Sequence, residues 1–121
     1  SYPVISSGKF AHTGSFEALL GADSSDPEKR KKQSLEFQVT TDTPPTFLWH
    51  TVTDDCVPVE NSLLFFFFFH KYKVPVELHL YSTGVHGLSL ANEETCHEDG
   101  GCIQPECQSW MELACTWIRN L

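Results

Sequence analysis

The sequence predicts an α/β fold, part of a doubly wound and mostly parallel sheet with helices on both faces. Three observations point there. Thr46-Phe-Leu-Trp-His50 is an unbroken apolar run, the pattern of a strand buried on both sides. Residues 59–72 read as a helix, and Val76-Glu-Leu-His-Leu-Tyr81, behind Val74-Pro75, reads as a second strand. A strand, a helix and a strand with a crossover of this length form a βαβ unit, whose two strands run parallel.

The other elements follow in chain order. Tyr2 to Ser6 is a short apolar strand candidate, followed by a glycine-containing loop that holds Lys9, His12 and Ser15. Phe16 to Leu20 forms a short helix, and Gly21 ends it because glycine accepts the left-handed conformation that closes a last turn. Pro27 opens another helix at its first position, running through Lys29-Arg-Lys-Lys32 toward Leu35. The stretch to Thr43 is polar, and Pro44-Pro45 punctuates the chain before the βαβ unit. Gln108 to Leu121 closes the chain as an amphipathic helix expected to cover one sheet face. Met111, Cys115 and Ile118 lie on its apolar side, widened by Trp110, Leu113, Ala114, Trp117 and Leu121.

Phe65 to Phe69 is the oddest local feature, since five consecutive aromatics point all the way round a helix. At about 100° per residue, Leu64, Phe65, Phe68 and Tyr72 share the expected buried face, while some of Phe66, Phe67 and Phe69 look elsewhere. An exposed run of this kind is an aggregation hazard or a surface for self-association.

A chain of 121 residues suits one compact unit, residues 1–121, with a real core. The net charge of −8, from 16 acidic and 8 basic residues, excludes the broad cationic footprint that a nucleic-acid binder needs. Half of the basic residues sit together in Lys29-Arg-Lys-Lys32, best read as a solvated loop or helix end. No apolar run approaches the roughly 20 residues that span a bilayer, so no membrane role is expected. Five cysteines, an odd number at irregular spacing, do not suggest a disulfide framework, and reduced thiols in a cytoplasmic setting are expected. Cys96-His97, Cys102 and Cys107 form a loose cluster around Gly100-Gly101 that raises the question of zinc, but the spacing matches no Cys-x-x-Cys knuckle. The first residues, Ser-Tyr-Pro-Val-Ile-Ser, lack an initiator methionine and a targeting segment and read as the interior of a longer protein.

Ligands of an open parallel sheet gather beyond the carboxyl ends of its strands. Two candidate loops lie there. After Trp49-His50 comes Asp54-Asp55-Cys-Val57-Pro58, where the valine anchors the turn to the core while the acid points into the crevice there; after Leu80-Tyr81 comes Gly84-Val-His86-Gly87, a tight loop presenting an imidazole. Either one alone reads as a helix cap or a polar loop. Their order and their placement after successive strands suggest the acid and the base of a Ser-His-Asp triad, in which imidazole takes a hydroxyl proton and carboxylate holds its tautomer. The Gly-x-Ser-x-Gly turn that carries the serine upstream of both is absent from these residues. Gly87-Leu-Ser89-Leu-Ala91 lacks the second glycine and sits just past the histidine, so Ser89 is read as structural. Trp49 and His50 are read as core and strand-end residues.

Thr43-Pro-Pro-Thr-Phe-Leu-Trp-His-Thr51, Asp54, Val57-Pro-Val-Glu-Asn-Ser-Leu63, Val74-Pro-Val-Glu-Leu-His-Leu80 and Gly84-Val-His-Gly-Leu-Ser-Leu-Ala91 together resemble the C-terminal region of bacterial α/β-hydrolases. The branch is that of acetyl esterases and acetylxylan esterase-like enzymes, related to dienelactone hydrolases and prolyl oligopeptidase-type domains. Tyr2-Pro-Val-Ile-Ser6, His12-Thr-Gly-Ser-Phe16 and Leu19-Leu-Gly21 are similar to it as well, so the resemblance covers nearly the whole chain. It implies Asp54 as triad acid, with Asp55 as runner-up, and His86 as general base. It implies that the nucleophile elbow and the oxyanion loop precede residue 1, that residues 1–121 are the C-terminal part of a single α/β-hydrolase domain, and that the chain by itself is inactive. The implied activity is hydrolysis of a short-acyl ester, such as acetyl on a carbohydrate, with no metal or organic cofactor. His12, in a polar loop, is a candidate to border the substrate. The alternative expectation is a non-catalytic module that associates through the Phe65–Phe69 helix or with a complementary N-terminal portion.

Overall fold

A computed structural model describes residues 2–96 and 101–121. Strands β1 (Thr46–Thr51) and β2 (Val76–Tyr81) pair in parallel, in a register that sets Thr46 opposite Val76 and Thr51 opposite Tyr81. Two helices precede them, α1 (Thr13–Leu20) and α2 (Pro27–Lys32); α3 (Glu60–Lys71) makes the crossover, and α4 (Trp110–Arg119) closes the chain. The βαβ unit expected from the sequence is the observed one. Neighbouring strand residues point to opposite faces, so the burial of both Trp49 (1% exposed) and His50 (0%) marks β1 as covered on two sides.

Each face has its own cover. Trp49 packs with Leu88, Ala91 and Cys107 and stacks on Trp110 of α4 at 5.3 Å, while Phe47 meets Trp117 at 5.9 Å. On the side of α3, Phe69 packs with Val39 and Val74, flanked by Phe65, Phe68 and Val76. Burying a phenylalanine this fully stabilises the fold by about 2–3 kcal/mol.

Several expectations are corrected. Residues 2–6 are extended but form no strand: Tyr2 N–H reaches Trp49 O at 3.0 Å, but the N–H groups of Ile5 and Ser6 go to Asn61 Oδ1 at 3.0 and 2.9 Å, so a side chain takes the place of a ladder. Helix α1 starts at Thr13, ahead of the apolar Phe16, because the His12 ring accepts the Ser15 N–H and caps it. It ends at Gly21, φ 54°, as expected. Helix α2 begins at Pro27 but stops at Lys32, and a 3₁₀ turn spans Leu35–Gln38.

The buried stripe of α3 is Asn61, Ser62 and Phe69, with Tyr72 and Phe67 exposed, so Phe69 rather than Tyr72 belongs to the core. The polar pair at its head, which apolar periodicity ignores, sets that rotation. Helix α4 likewise turns Trp110 and Trp117 to the sheet and leaves Met111 and Ile118 exposed. Cys96 and Cys102, expected as reduced thiols, form a disulfide, their Cα atoms 5.2 Å apart and within the reach of that bond. Cys56, Cys107 and Cys115 are free thiols, and His97 and Gly100 lie outside the described residues. Among the described residues, no helix is long and apolar enough to cross a membrane.

Candidate active site

Beyond the end of β1 the chain turns sharply on Asp54. Its Oδ1 accepts the N–H groups of Cys56 at 2.9 Å and Val57 at 2.8 Å, and Val57 is buried, so the turn is pinned to the core from both sides. Side chains that bond their own backbone two or three residues on favour such turns. Asp54 is buried, whereas Asp55, the runner-up, is exposed.

Beyond β2, Gly84 is clamped by two threonines. Thr51 and Thr53 each donate a hydroxyl to Gly84 O at 3.0 Å, and Thr53 Oγ1 accepts the Gly84 N–H at 2.9 Å. Two residues later His86 leans on the Tyr2 ring, with centroids 4.8 Å apart, and Leu88 and Ala91 bury the chain that follows. Ser89 lies in the same knot: its N–H donates to Tyr2 Oη at 3.3 Å, and its carbonyl accepts Trp110 Nε1–H at 2.7 Å.

The two loops meet where the sequence places their reactive groups: His86 Nδ1 lies 2.8 Å from Asp54 Oδ2. Burial opposes ionisation of Asp54, but the Val57 N–H, the His86 imidazole and the Cys56 N–H outweigh it and hold the carboxyl below its ordinary range. An ionised carboxylate only accepts, so Nδ1 carries a hydrogen, and the lone pair of the neutral ring is the one on Nε2. A second imidazole stands behind Asp54. His50 Nε2 lies 2.9 Å from Val57 O and 3.3 Å from Asp54 Oδ2, and its Nδ1 lies 2.7 Å from Ser62 Oγ.

Sequence reasoning missed His50, Thr51 and Thr53 as parts of this site. The available signal was two threonines two positions apart at a strand end, which share a face. His12 does two jobs: it caps α1, with Nδ1 2.8 Å from Ser15 Oγ, and its Nε2 lies 3.6 Å from Cys56 Sγ on the Asp54 turn. Among the described residues no three His, Cys, Asp or Glu side chains gather as a metal would require. Of the cysteine cluster, Cys96 and Cys102 are bonded to each other, and buried Cys107 contacts Thr83 O, its thiol pushed up by burial and by the Glu106 charge.

No protein-family model matches the chain. It is similar to the solved structure of an acetyl ester-xyloside bifunctional hydrolase from Caldicellulosiruptor lactoaceticus, with 44% identity and a TM-score of 0.85 over 98% of this chain and 40% of that one. The chain belongs to the α/β-hydrolases, among their acetyl esterase-like members. It is also similar to the solved structure of a sugar hydrolase from Lactococcus lactis, 36% identical, TM-score 0.74, covering 79% of this chain and 38% of that one. The endo-1,4-beta-xylanase B of Butyrivibrio fibrisolvens is 46% identical over 94 residues, 78% of this chain and 15% of that protein. The chain thus spans well under half the length of each of these relatives. As an α/β-hydrolase it has the expected fold class, a parallel pair with helices on both faces.

Proposed function

We propose that this chain supplies the acid and the base of a serine-type carboxylic ester hydrolase, as the C-terminal part of one α/β-hydrolase domain. The observation that carries the reading is the 2.8 Å hydrogen bond from His86 Nδ1 to the buried Asp54 Oδ2, made beyond the ends of two parallel strands. His86 Nε2 has no hydrogen-bond partner among the described residues, and its ring is one-third exposed. In the reaction, Nε2 takes the proton of a serine hydroxyl as its oxygen attacks the ester carbonyl, and returns it to the leaving alkoxide. Asp54 fixes the tautomer and stabilises the imidazolium. Water then hydrolyses the acyl-serine with the same imidazole as base.

The serine must come from a Gly-x-Ser-x-Gly turn, which these 121 residues do not contain. Similarity to an acetyl ester-xyloside hydrolase and to a xylanase supports an acetylated carbohydrate as substrate. His12, held against the Asp54 turn through Cys56, would border that substrate. The Cys96–Cys102 disulfide favours an oxidising setting over the cytoplasmic one expected from the sequence.

The test is made on a polypeptide that unites this chain with a region bearing the serine turn. His86→Ala and Asp54→Asn should each lower hydrolysis of a chromogenic acetate ester about 10³- to 10⁴-fold without unfolding the protein. The chain alone should not react with a fluorophosphonate. Near-normal rates in either variant, or stoichiometric labelling of the chain alone, would overturn the reading.

A further inference from the structure

We propose that His50 is a positioning residue for Asp54, holding the carboxylate in the orientation in which it meets His86, and that Ser62 fixes the His50 tautomer for that task. The inference rests on the reading of Asp54 and His86 as acid and base.

The hydrogens can be assigned from the partners. His50 and Ser62 are both fully buried, on the side of β1 that faces α3. Val57 O, 2.9 Å from Nε2, can only accept, so Nε2 carries a hydrogen. Burial outweighs the Val57 carbonyl and the Asp54 charge and lowers the affinity of His50 for a second proton, so the ring is neutral. Nδ1 is then a bare lone pair, and the Ser62 hydroxyl at 2.7 Å donates into it. Without that hydroxyl, the opposite tautomer would aim the Nε2 lone pair at Val57 O and Asp54 Oδ2.

The contacts close a ring around the carboxylate. Val57 N–H grips Asp54 Oδ1, while His50 grips the carbonyl of the same Val57 and turns its Nε2–H dipole toward Asp54 Oδ2 at 3.3 Å. Oδ2 therefore faces two imidazoles, one sealed in the core and one with access to solvent. The ionisable side chains bonded to or paired with Asp54 are these two; Asp55 and Cys56 beside it are exposed. A fixed dipole in a dry site stabilises charge without reorganising when the reaction occurs. Taking it away leaves Oδ2 a stronger partner for the opposing imidazolium and frees the turn to rotate.

In the united polypeptide, His50→Leu removes the donor, His50→Gln retains an N–H, and Ser62→Ala removes the tautomer lock with the smallest change of volume. His50→Leu should lower kcat for an acetate ester about tenfold or more, with KM changed less than about twofold. The acid limb of its kcat/KM profile should move to higher pH. His50→Gln should recover most of kcat, and in an Asp54→Asn background His50→Leu should cost nothing further, since its effect passes through Asp54. If His50→Leu does not fold, Ser62→Ala should show the same shift of the acid limb with a several-fold fall in kcat. An active wild type whose profile is unmoved in the folded variants, or a His50→Leu effect that adds fully to Asp54→Asn, overturns this inference alone. An inactive wild type overturns the esterase reading and this inference with it.

Discussion

Thr51 and Gly84 are locked together: the threonine hydroxyl donates to Gly84 O at 3.0 Å, and a Cβ built on Gly84 would lie 2.6 Å from Thr51 Cγ2. The same Cβ would meet Leu88 Cδ1 at 2.9 Å, and φ is +149°, a conformation that favours glycine. The end of β1 thus sets the height at which the loop after β2 starts, two residues before His86.

Gly84→Ala should therefore act on both stability and the site. It should destabilise by about 2–3 kcal/mol, from strain and from contacts with no room to give. It should also displace His86 from Asp54, so that ester hydrolysis per folded molecule falls. Gly87→Ala is the control: φ is +78°, nothing lies within 4 Å of a Cβ there, and the cost should be about 1–2 kcal/mol of strain alone. Urea denaturation with activity normalised to the folded fraction tests both, and equal effects would remove the packing argument.

Asn61 should be among the least replaceable residues. It is fully buried; its Oδ1 takes the N–H groups of Ile5 and Ser6, and its Nδ2 gives to Phe10 O at 2.8 Å and Pro58 O at 3.0 Å. Asn61→Ala strands two donors and two acceptors and should cost about 3 kcal/mol or more in urea denaturation. Asn61→Asp should be worse at neutral pH than in mild acid, because a carboxylate would face two carbonyl oxygens.

Stability should fall in two steps on acidification. The folded-state pKa of His50 lies below its ordinary 6.5, so just below that pH the unfolded chain binds the proton and the native state does not. Its contribution is complete above pH 6.5 and is lost as pH falls through the lowered value. Asp54, depressed below 3.8, contributes fully above that pH and loses its share at more acid pH still. Thermal melts between pH 7 and 5 should show a drop that His50→Gln reduces, and an undiminished drop in that variant would exclude His50 as its source.

The sequence made β1, α3 and β2 legible to within one or two residues, because an unbroken apolar run, Pro44-Pro45 and Val74-Pro75 are local signals. Asp54 and His86 were legible for the same reason, each standing just past a strand. Residues 2–6 were not, since Asn61, more than fifty positions away, takes the N–H groups that a strand would have paired. Nor were the roles of Thr51 and Thr53, which depend on how the loop after β2 lands on β1, or that of His50, which depends on how the Asp54 turn and α3 bring Val57 and Ser62 to its ring. The rotation of α4 was hidden too: periodicity draws a wide apolar stripe, and stacking of Trp110 on Trp49 decides which part meets the sheet.

The phenylalanine run should divide sharply on substitution. Phe67 is 57% exposed and touches Phe68 edge-on at 5.6 Å, whereas Phe69 is 1% exposed and crosses Phe65 at 4.8 Å. Phe69→Ala empties a packed site and should cost about 3–5 kcal/mol. Phe67→Ser should stay within about 0.5 kcal/mol of wild type. It should also lower light scattering on concentration, because removing an exposed aromatic breaks an aggregation-prone window without touching the core. Similar losses in the two variants would mean that α3 is rotated from the orientation described, with Phe67 as well as Phe69 turned inward, and the polar pair Asn61 and Ser62 would then no longer set the helix face.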